Sequence, residues 1–476
     1  MVDLISSAVG GRIVAFNDEF FAPASNLISP GDPVSNTEYT DRGKWMDGWE
    51  TRRRREPGHD WCVVALGVPG RIENVTVDTS FFTGNYAESF SLEGCGEDDD
   101  AQLAAADWEE VLPQTPLLGD SQASFAVDNP HRFTRLRLNI FPDGGVARLR
   151  VDGAPIPSQS QVCPGVDPVD LLSMLVGGEA VNASDVHYSQ PSNLLRPTEP
   201  AGMWDGWETK RRRGPGNDWV DLRLGTPGTV EVVVIDTRHF KGNAPGWVSL
   251  SVSEDGAAWA MVVDRVAIAP HDVARLDLPA PTHAGFLRVD IHPDGGLARV
   301  KALGRPDREA LLDKRIEYLN SLTESAARRF FKSACVSGSW VESMIAKRPF
   351  AGLDEVLGGA GSAFDVMDEG DWLVAFSGHP RIGETGEATA NREQAGVQNA
   401  ATGTLDAITE ANRHYEDRFG FTYIVYASGK TAEEMLAIAK SRLGNTREQE
   451  LEVASSEQRL ITDTRLRRML CEGDQR

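Results

Sequence analysis

Trp45-Met46-Asp47-Gly48-Trp49-Glu50-Thr51-Arg52-Arg53-Arg54-Arg55 returns further along the chain as Met203-Trp204-Asp205-Gly206-Trp207-Glu208-Thr209-Lys210-Arg211-Arg212-Arg213. The offset that carries Trp49 onto Trp207 also carries Asp60-Trp61 onto Asp218-Trp219, Gly67 onto Gly225 and Asp78-Thr79 onto Asp236-Thr237. It likewise carries Phe82-Thr83-Gly84-Asn85 onto Phe240-Lys241-Gly242-Asn243. Phe141-Pro142-Asp143-Gly144-Gly145 matches His292-Pro293-Asp294-Gly295-Gly296 at a shorter offset, so the first copy holds extra residues, which we place in the acidic loop Gly96 to Asp100. Upstream, Ser25-Asn26-Leu27 matches Ser192-Asn193-Leu194. Such slips fall in loops, where insertions are tolerated. A unit of about 150 residues is a whole domain rather than a solenoid repeat.

Both copies read as β. Trp61 to Leu66 and Thr229 to Asp236 are short and rich in β-branched residues, and Phe133 to Ile140 and Phe286 to Ile291 alternate apolar with polar side chains. Pro69-Gly70, Pro227-Gly228 and Pro142-Asp143-Gly144-Gly145 read as turns, and Ala154 to Ser160 as a linker. Many short strands with such punctuation predict β-sandwiches of jelly-roll type. From about Arg305 the text changes to helix formers. Leu311, Ile316, Leu319 and Leu322 have helical spacing, Thr431-Ala432-Glu433-Glu434 is a capping box, and a last helix spans roughly Arg447 to Leu470. The expected fold is two all-β jelly-roll, galactose-binding-like sandwiches (1–160 and 161–304) followed by an all-α helical domain (305–476).

The net charge of -23 repels nucleic acid and anionic membranes, so neither is an expected partner. No apolar run reaches the roughly 20 residues of a membrane span, and the start lacks a secretory pattern. Five scattered cysteines without a CxxC argue against a disulfide framework and fit a cytoplasmic protein. A homo-oligomer is the expected assembly. Small anionic substrates must then be captured by local basic clusters. Packing needs no row of cations. Either the Arg52–Arg55 and Lys210–Arg213 rows are solvated edges that block sheet pairing, or their arginines clamp a carboxylate by paired hydrogen bonds. The recurring Asp47, Glu50, Asp205 and Glu208, with His59-Asp60 and Asn217-Asp218 close behind, favour the clamp, with Arg52, Arg53, Arg211 and Arg212 as its cations.

The duplicated DGWET motifs, the Asp-Trp pairs, the Phe-x-Gly-Asn elements and the two Pro-Asp-Gly-Gly turns together resemble the allantoicase family over roughly residues 10 to 305. That resemblance implies hydrolysis of allantoate to ureidoglycolate and urea. The reaction needs a cationic clamp and a proton donor to the leaving nitrogen. Glu208, Asp205, His239 and His292 are the expected catalytic groups. No HxH or HExxH spacing points to a metal, and no cofactor is expected. The copies differ at Ser80-Phe81 against Arg238-His239 and at Phe141 against His292, so one site is degenerate or a single site is composite.

Four islands interrupt the helical third: Gly338 to Met344 leading to Arg348-Pro349-Phe350, His379 to Gly383, Arg392 to Gly396, and a run from Asn412 to Asn445. In this order they resemble OHCU decarboxylase over roughly 310 to 470. The resemblance implies cofactor-free decarboxylation of 2-oxo-4-hydroxy-4-carboxy-5-ureidoimidazoline (OHCU) to (S)-allantoin, the substrate ring acting as its own electron sink. It places His379 as proton donor, Glu393 as its assistant, Gln394 on amide edges and Arg442 on an anionic or carbonyl oxygen. Pro380 and Tyr423, Ile424, Val425, Tyr426 and Ala427 would wall the pocket. Two positions depart from the family pattern: Ala390 stands where a Ser is usual, and Tyr423 where a Phe is usual. The product of this reaction is one ring opening away from the substrate of the other. The contrasting reading is a non-catalytic ligand-binding sandwich fused to a single active decarboxylase.

Overall fold

The computed structural model describes residues 2–158, 168–382 and 402–472, the side chains of 402, 471 and 472 excepted. The first copy is organised by one strand, Asp60–Asp78. Its beginning pairs with Arg132–Phe141 on one side and Arg12–Phe16 on the other. Its end pairs instead with Arg148–Pro155 and Gln122–Ala126. Ser89–Cys95 and Glu109–Pro116 extend the first group. The change of partners falls at Leu66 to Gly70, where the ladder with Arg132–Phe141 slips register. A proline without an N–H and a glycine without a side chain bend the strand there rather than reversing it. The turn expected at Pro69-Gly70 is therefore a bend inside a strand. The linker expected from Ala154 begins later, since Ala154 and Pro155 pair with Arg71 and Gly70. Val64, Val75, Val77, Leu92, Leu138 and Val151 are completely buried and build the core.

The second copy repeats the plan on Asp218–Asp236, which bends at Pro227-Gly228. One strand, Val273–His292, does the work of the two strands Gln122–Ala126 and Arg132–Phe141. The extra residues of the first copy lie between Cys95 and Glu109 and include a short 3-10 helix, Asp100–Ala105. A hydrogen bond from Thr198 Oγ1 to Ala8 O joins the copies (2.7 Å).

Helix α1 (Arg308–Ser321) groups with the β copies in a unit that runs to Thr323, and a second unit begins at Glu324. The second unit contains α2 (Glu324–Ala334), α3 (Gly338–Ala346), α4 (Leu353–Phe364), α5 (Glu369–Ser377), α6 (Thr402–Phe419), α7 (Ala432–Arg442) and α8 (Arg447–Arg467). Capping boxes at Asp368, Thr431 and Thr446 start α5, α7 and α8 by satisfying N–H groups that a helix leaves open. Phe331, Trp340 and Phe376 are fully buried among these helices. Helix α5 stops at Gly378, and Pro380 prevents the chain from resuming it.

Candidate active sites

The end of α5 delivers His379 to a pocket lined by Pro380, Ile382, Tyr423 to Ser428 and, from α8, Ile461 and Thr464. The wall from Tyr423 to Ala427 is irregular backbone, which presents amides to a cavity instead of to a ladder. His379 Nε2 lies 2.7 Å from Gln458 Oε1, and Gln458 is itself buried and donates to Thr462 Oγ1 (3.1 Å). Arg465 Nη2 approaches His379 Nδ1 at 3.5 Å. A guanidinium only donates, so that geometry makes Nδ1 the acceptor and Nε2 the protonated nitrogen. Gln458, Ile461, Thr464 and Arg465 share one face of α8 at spacings of three and four residues; the sequence reading assigned that helix no role in the site.

Arg442 does not line this pocket. Its guanidinium is buried against Glu450 (Nε to Oε1, 2.7 Å), Ile424 O (2.9 Å) and Tyr415 Oη (3.3 Å). It also stacks near Tyr423, 5.1 Å from the ring centre. Among the described residues, the hydrogen bonds of Arg442 go to the protein and not into the pocket. Arg442 holds the Tyr423–Ala427 wall from behind, while Arg465 puts a cation next to His379. Tyr423 spends its hydroxyl on Met435 O (3.2 Å), which explains how a tyrosine fits where a phenylalanine is usual. Ala390, Glu393 and Gln394 lie outside the described residues.

In the β unit the two arginine rows are built alike. Thr51 and Thr209 tie each row to the opposite glycine turn through Gly144 and Gly295. The Arg54 amide donates to Asp143 Oδ2 and the Arg212 amide to Asp294 Oδ2, both at 2.8 Å. Arg54 pairs with the buried Asp60 (2.6 Å), and Arg212 pairs with the buried Asp218. Arg54 Nε, Arg212 Nε and Asp60 Oδ2 are nevertheless buried without a protein partner. Arg52 pairs with Asp18 at 2.6 Å, which holds that carboxyl below its usual range against the opposing cost of burial. Arg53 and Arg211 are exposed. Arg52 to Glu56 line an open cleft with Asn17, Asp18 and Asp60.

The carboxylates expected to be catalytic separate into two kinds. Asp205 is buried between Arg299 (2.8 Å) and Arg196, which keep it ionised despite burial. Asp47 meets Arg148 at 2.7 Å, so a carboxylate–arginine pair anchors the motif in both copies. Glu50 and Glu208 are half-buried and each accepts one amide bond, from Asn85 (2.7 Å) and Asn243 (2.6 Å). Burial raises the Glu50 carboxyl above its ordinary range. Neither Asn had been singled out for the site, although both sit in the repeated Phe-x-Gly-Asn element. His239 is held by Pro200 O through Nε2 (2.8 Å), with left-handed backbone at φ 69. His292 bonds Ser249 Oγ (3.0 Å), and burial pushes its imidazole below its ordinary value. No hydrogen bond joins any two of Asp205, Glu208, His239 and His292 among the described residues.

Comparison with known proteins agrees with this division. An allantoicase repeat model matches residues 2–156 and 169–307, and an OHCU decarboxylase model matches residues 320–467. A probable allantoicase of Pseudomonas aeruginosa (strain UCBPP-PA14) is 42% identical over 323 residues, 64% of this chain and 96% of that protein. One from Photobacterium profundum is also 42% identical, over 321 residues with the same coverage. The crystal structure of allantoicase from Saccharomyces cerevisiae is 33% identical with a TM-score of 0.55, covering 64% of this chain and 92% of that chain. With its duplicated sandwich matched over nearly the full length of those relatives, the chain belongs to the allantoicase family and carries an OHCU decarboxylase domain behind it.

Proposed function

We propose that the β unit hydrolyses allantoate to ureidoglycolate and urea, and that the helical unit decarboxylates OHCU to (S)-allantoin. The observation that carries the second activity is His379, held by Gln458 and Arg465 at a pocket with an apolar and amide wall. Loss of CO2 breaks the ring-to-carboxylate bond and leaves the electron pair on the imidazoline, which spreads it over its own conjugated system. A proton then passes to that carbon through His379, Nε2 turning its N–H from Gln458 to the intermediate as Nδ1 takes a proton from solvent, and one face of the planar intermediate against the wall gives one enantiomer. Arg465 offsets the negative charge beside the ring. Ile424 O, Tyr426 N and Tyr426 O are engaged by Arg442, Glu457 and Lys430, and Val425 between them is positioned to take a ureido edge.

In the β unit an arginine row takes the substrate carboxylate. Water supplies the hydroxyl to the central carbon as the carbon–nitrogen bond breaks, and the departing nitrogen takes a proton to become urea. Glu50 and Glu208 are the carboxyls available as proton donor, and the raised Glu50 is the better suited. The test of both activities is urea release from allantoate together with the optical activity of allantoin formed from fresh OHCU.

A further inference from the structure

We propose that the first copy binds a ureido-bearing carboxylate in a cleft on its outer sheet face, the ureido plane stacked on Trp61, while the second copy fills the equivalent cleft with its own Arg288. The inference rests on the allantoicase reading for the choice of ligand.

The two faces are in register and differ by an exchange of carboxylates. Arg288 stands opposite Asp221 on the central strand and opposite Ser251 on the outer one. Arg137 stands opposite Val63 and Glu93 at the same places. In the second copy Asp221 therefore draws Arg288 inward with two hydrogen bonds of 2.6 and 2.8 Å. The guanidinium is packed against two indoles, 4.4 Å from Trp219 and 4.5 Å from Trp259. In the first copy Glu93 draws Arg137 outward (2.7 Å), where it stacks on Trp108 at 4.6 Å and not on Trp61. A cleft of about 850 Å³ remains, with Trp61, Trp108, Arg54 and Arg137 among its walls.

A ureido group has the planar, Y-shaped frame of a guanidinium and similar N–H edges. The slot that holds a guanidinium in one copy suits a ureido group in the other. Glu93 Oε2 takes the bonds from Arg137 and Asn139, which leaves Oε1 to accept from a ureido N–H. Arg54 lines the cleft, pairs with Asp60 through Nη1, and supplies the cation for a carboxylate. The 3-10 helix Asp100–Ala105, for which the second copy has no counterpart, brings Leu103 and Ala104 to the rim. Arg135 pins that helix through Asp100 Oδ1 (2.8 Å) and Asp98 O (2.6 Å). The extra segment and the displaced arginine thus act on the same space.

Calorimetric titration of the full chain with N-carbamoylglycine, the simplest ureido carboxylate, tests this. One ligand per chain is expected. Trp61→Ala removes the stacking plane and is expected to weaken binding about tenfold or more. Val63→Asp places a carboxylate where Asp221 stands, draws Arg137 over Trp61 and is expected to weaken binding to the same degree. Circular dichroism establishes that each variant is folded, and either one alone decides the question. No binding to the wild type, two ligands per chain, or a folded variant of wild-type affinity overturns the inference. Urea release from allantoate, assayed in parallel, reports on the enzymatic reading alone: a wild type that releases urea yet binds N-carbamoylglycine independently of Trp61 and Val63 retains the activity and loses this cleft.

Discussion

At the scale of single residues, the chemistry was more legible than the positions that carry it. His379 was singled out through the family resemblance, since a lone His-Pro is more often a plain loop, and it lies at the end of α5 on a pocket. Arg442 was less legible for a physical reason: a buried arginine at a helix end can face a pocket or brace its wall, and its partners Glu450 and Ile424 O cannot be read from sequence. Arg465 lay unmarked inside an amphipathic helix, among other charged residues. His379→Ala is expected to lower OHCU turnover at least about a hundredfold without changing urea release from allantoate. Arg465→Ala is expected to lower turnover, and, since Arg465 is buried and also donates to Ala334 O, unfolding titrations alongside the rates separate that effect from a loss of stability. Arg442→Ala leaves Glu450 buried and unpaired, and chemical unfolding should show a loss of about 3–5 kcal/mol. Asp3 and Asp170, equivalent half-buried carboxyls in the two copies, are both raised by burial to about 6. Between the unfolded value and about 6, the unfolded chain has released a proton that the folded chain retains, so stability falls as pH rises through this window and is flat above it. Asp3→Asn with Asp170→Asn should therefore stabilise the chain more at pH 7 than at pH 5, by about 1 kcal/mol per residue, in paired unfolding titrations.

Among the elements, strands and helices announced themselves by periodicity, and the bends did not. Pro69-Gly70 has the composition of a turn, yet its neighbours on both sides are β-branched and buried, so extending the strand gains more than reversing it. The repeated glycine pair after each Pro-Asp was legible as a turn, but its packing was not. A methyl group on Gly145 would meet the Phe82 ring at 2.0 Å, and on Gly296 the Phe240 ring at 1.9 Å. Gly145→Ala and Gly296→Ala are each expected to cost about 1–3 kcal/mol by overpacking, read as a lowered unfolding midpoint. Helix α8 depends on Thr446, whose capping box starts the helix that carries Gln458, Ile461, Thr464 and Arg465. Thr446→Ala should cost about 1 kcal/mol.

At the scale of the whole molecule, the internal repeat and the shift to helix formers were enough to divide the chain into sandwiches and a helical domain, because both leave long-range marks in the sequence. The asymmetry between the copies left a fainter one: Val63 against Asp221 and Glu93 against Ser251 look like ordinary drift until the ladder places both pairs beside equivalent arginines. An acidic chain that concentrates arginine beside a few half-buried carboxylates is suited to small anions that carry ureido groups. The most direct test supplies purified full-length protein with fresh OHCU in one vessel and allantoate in another. We predict (S)-allantoin alone, formed faster than spontaneous decay, and one urea per allantoate consumed. Racemic allantoin at the spontaneous rate, with no urea released, would contradict the account.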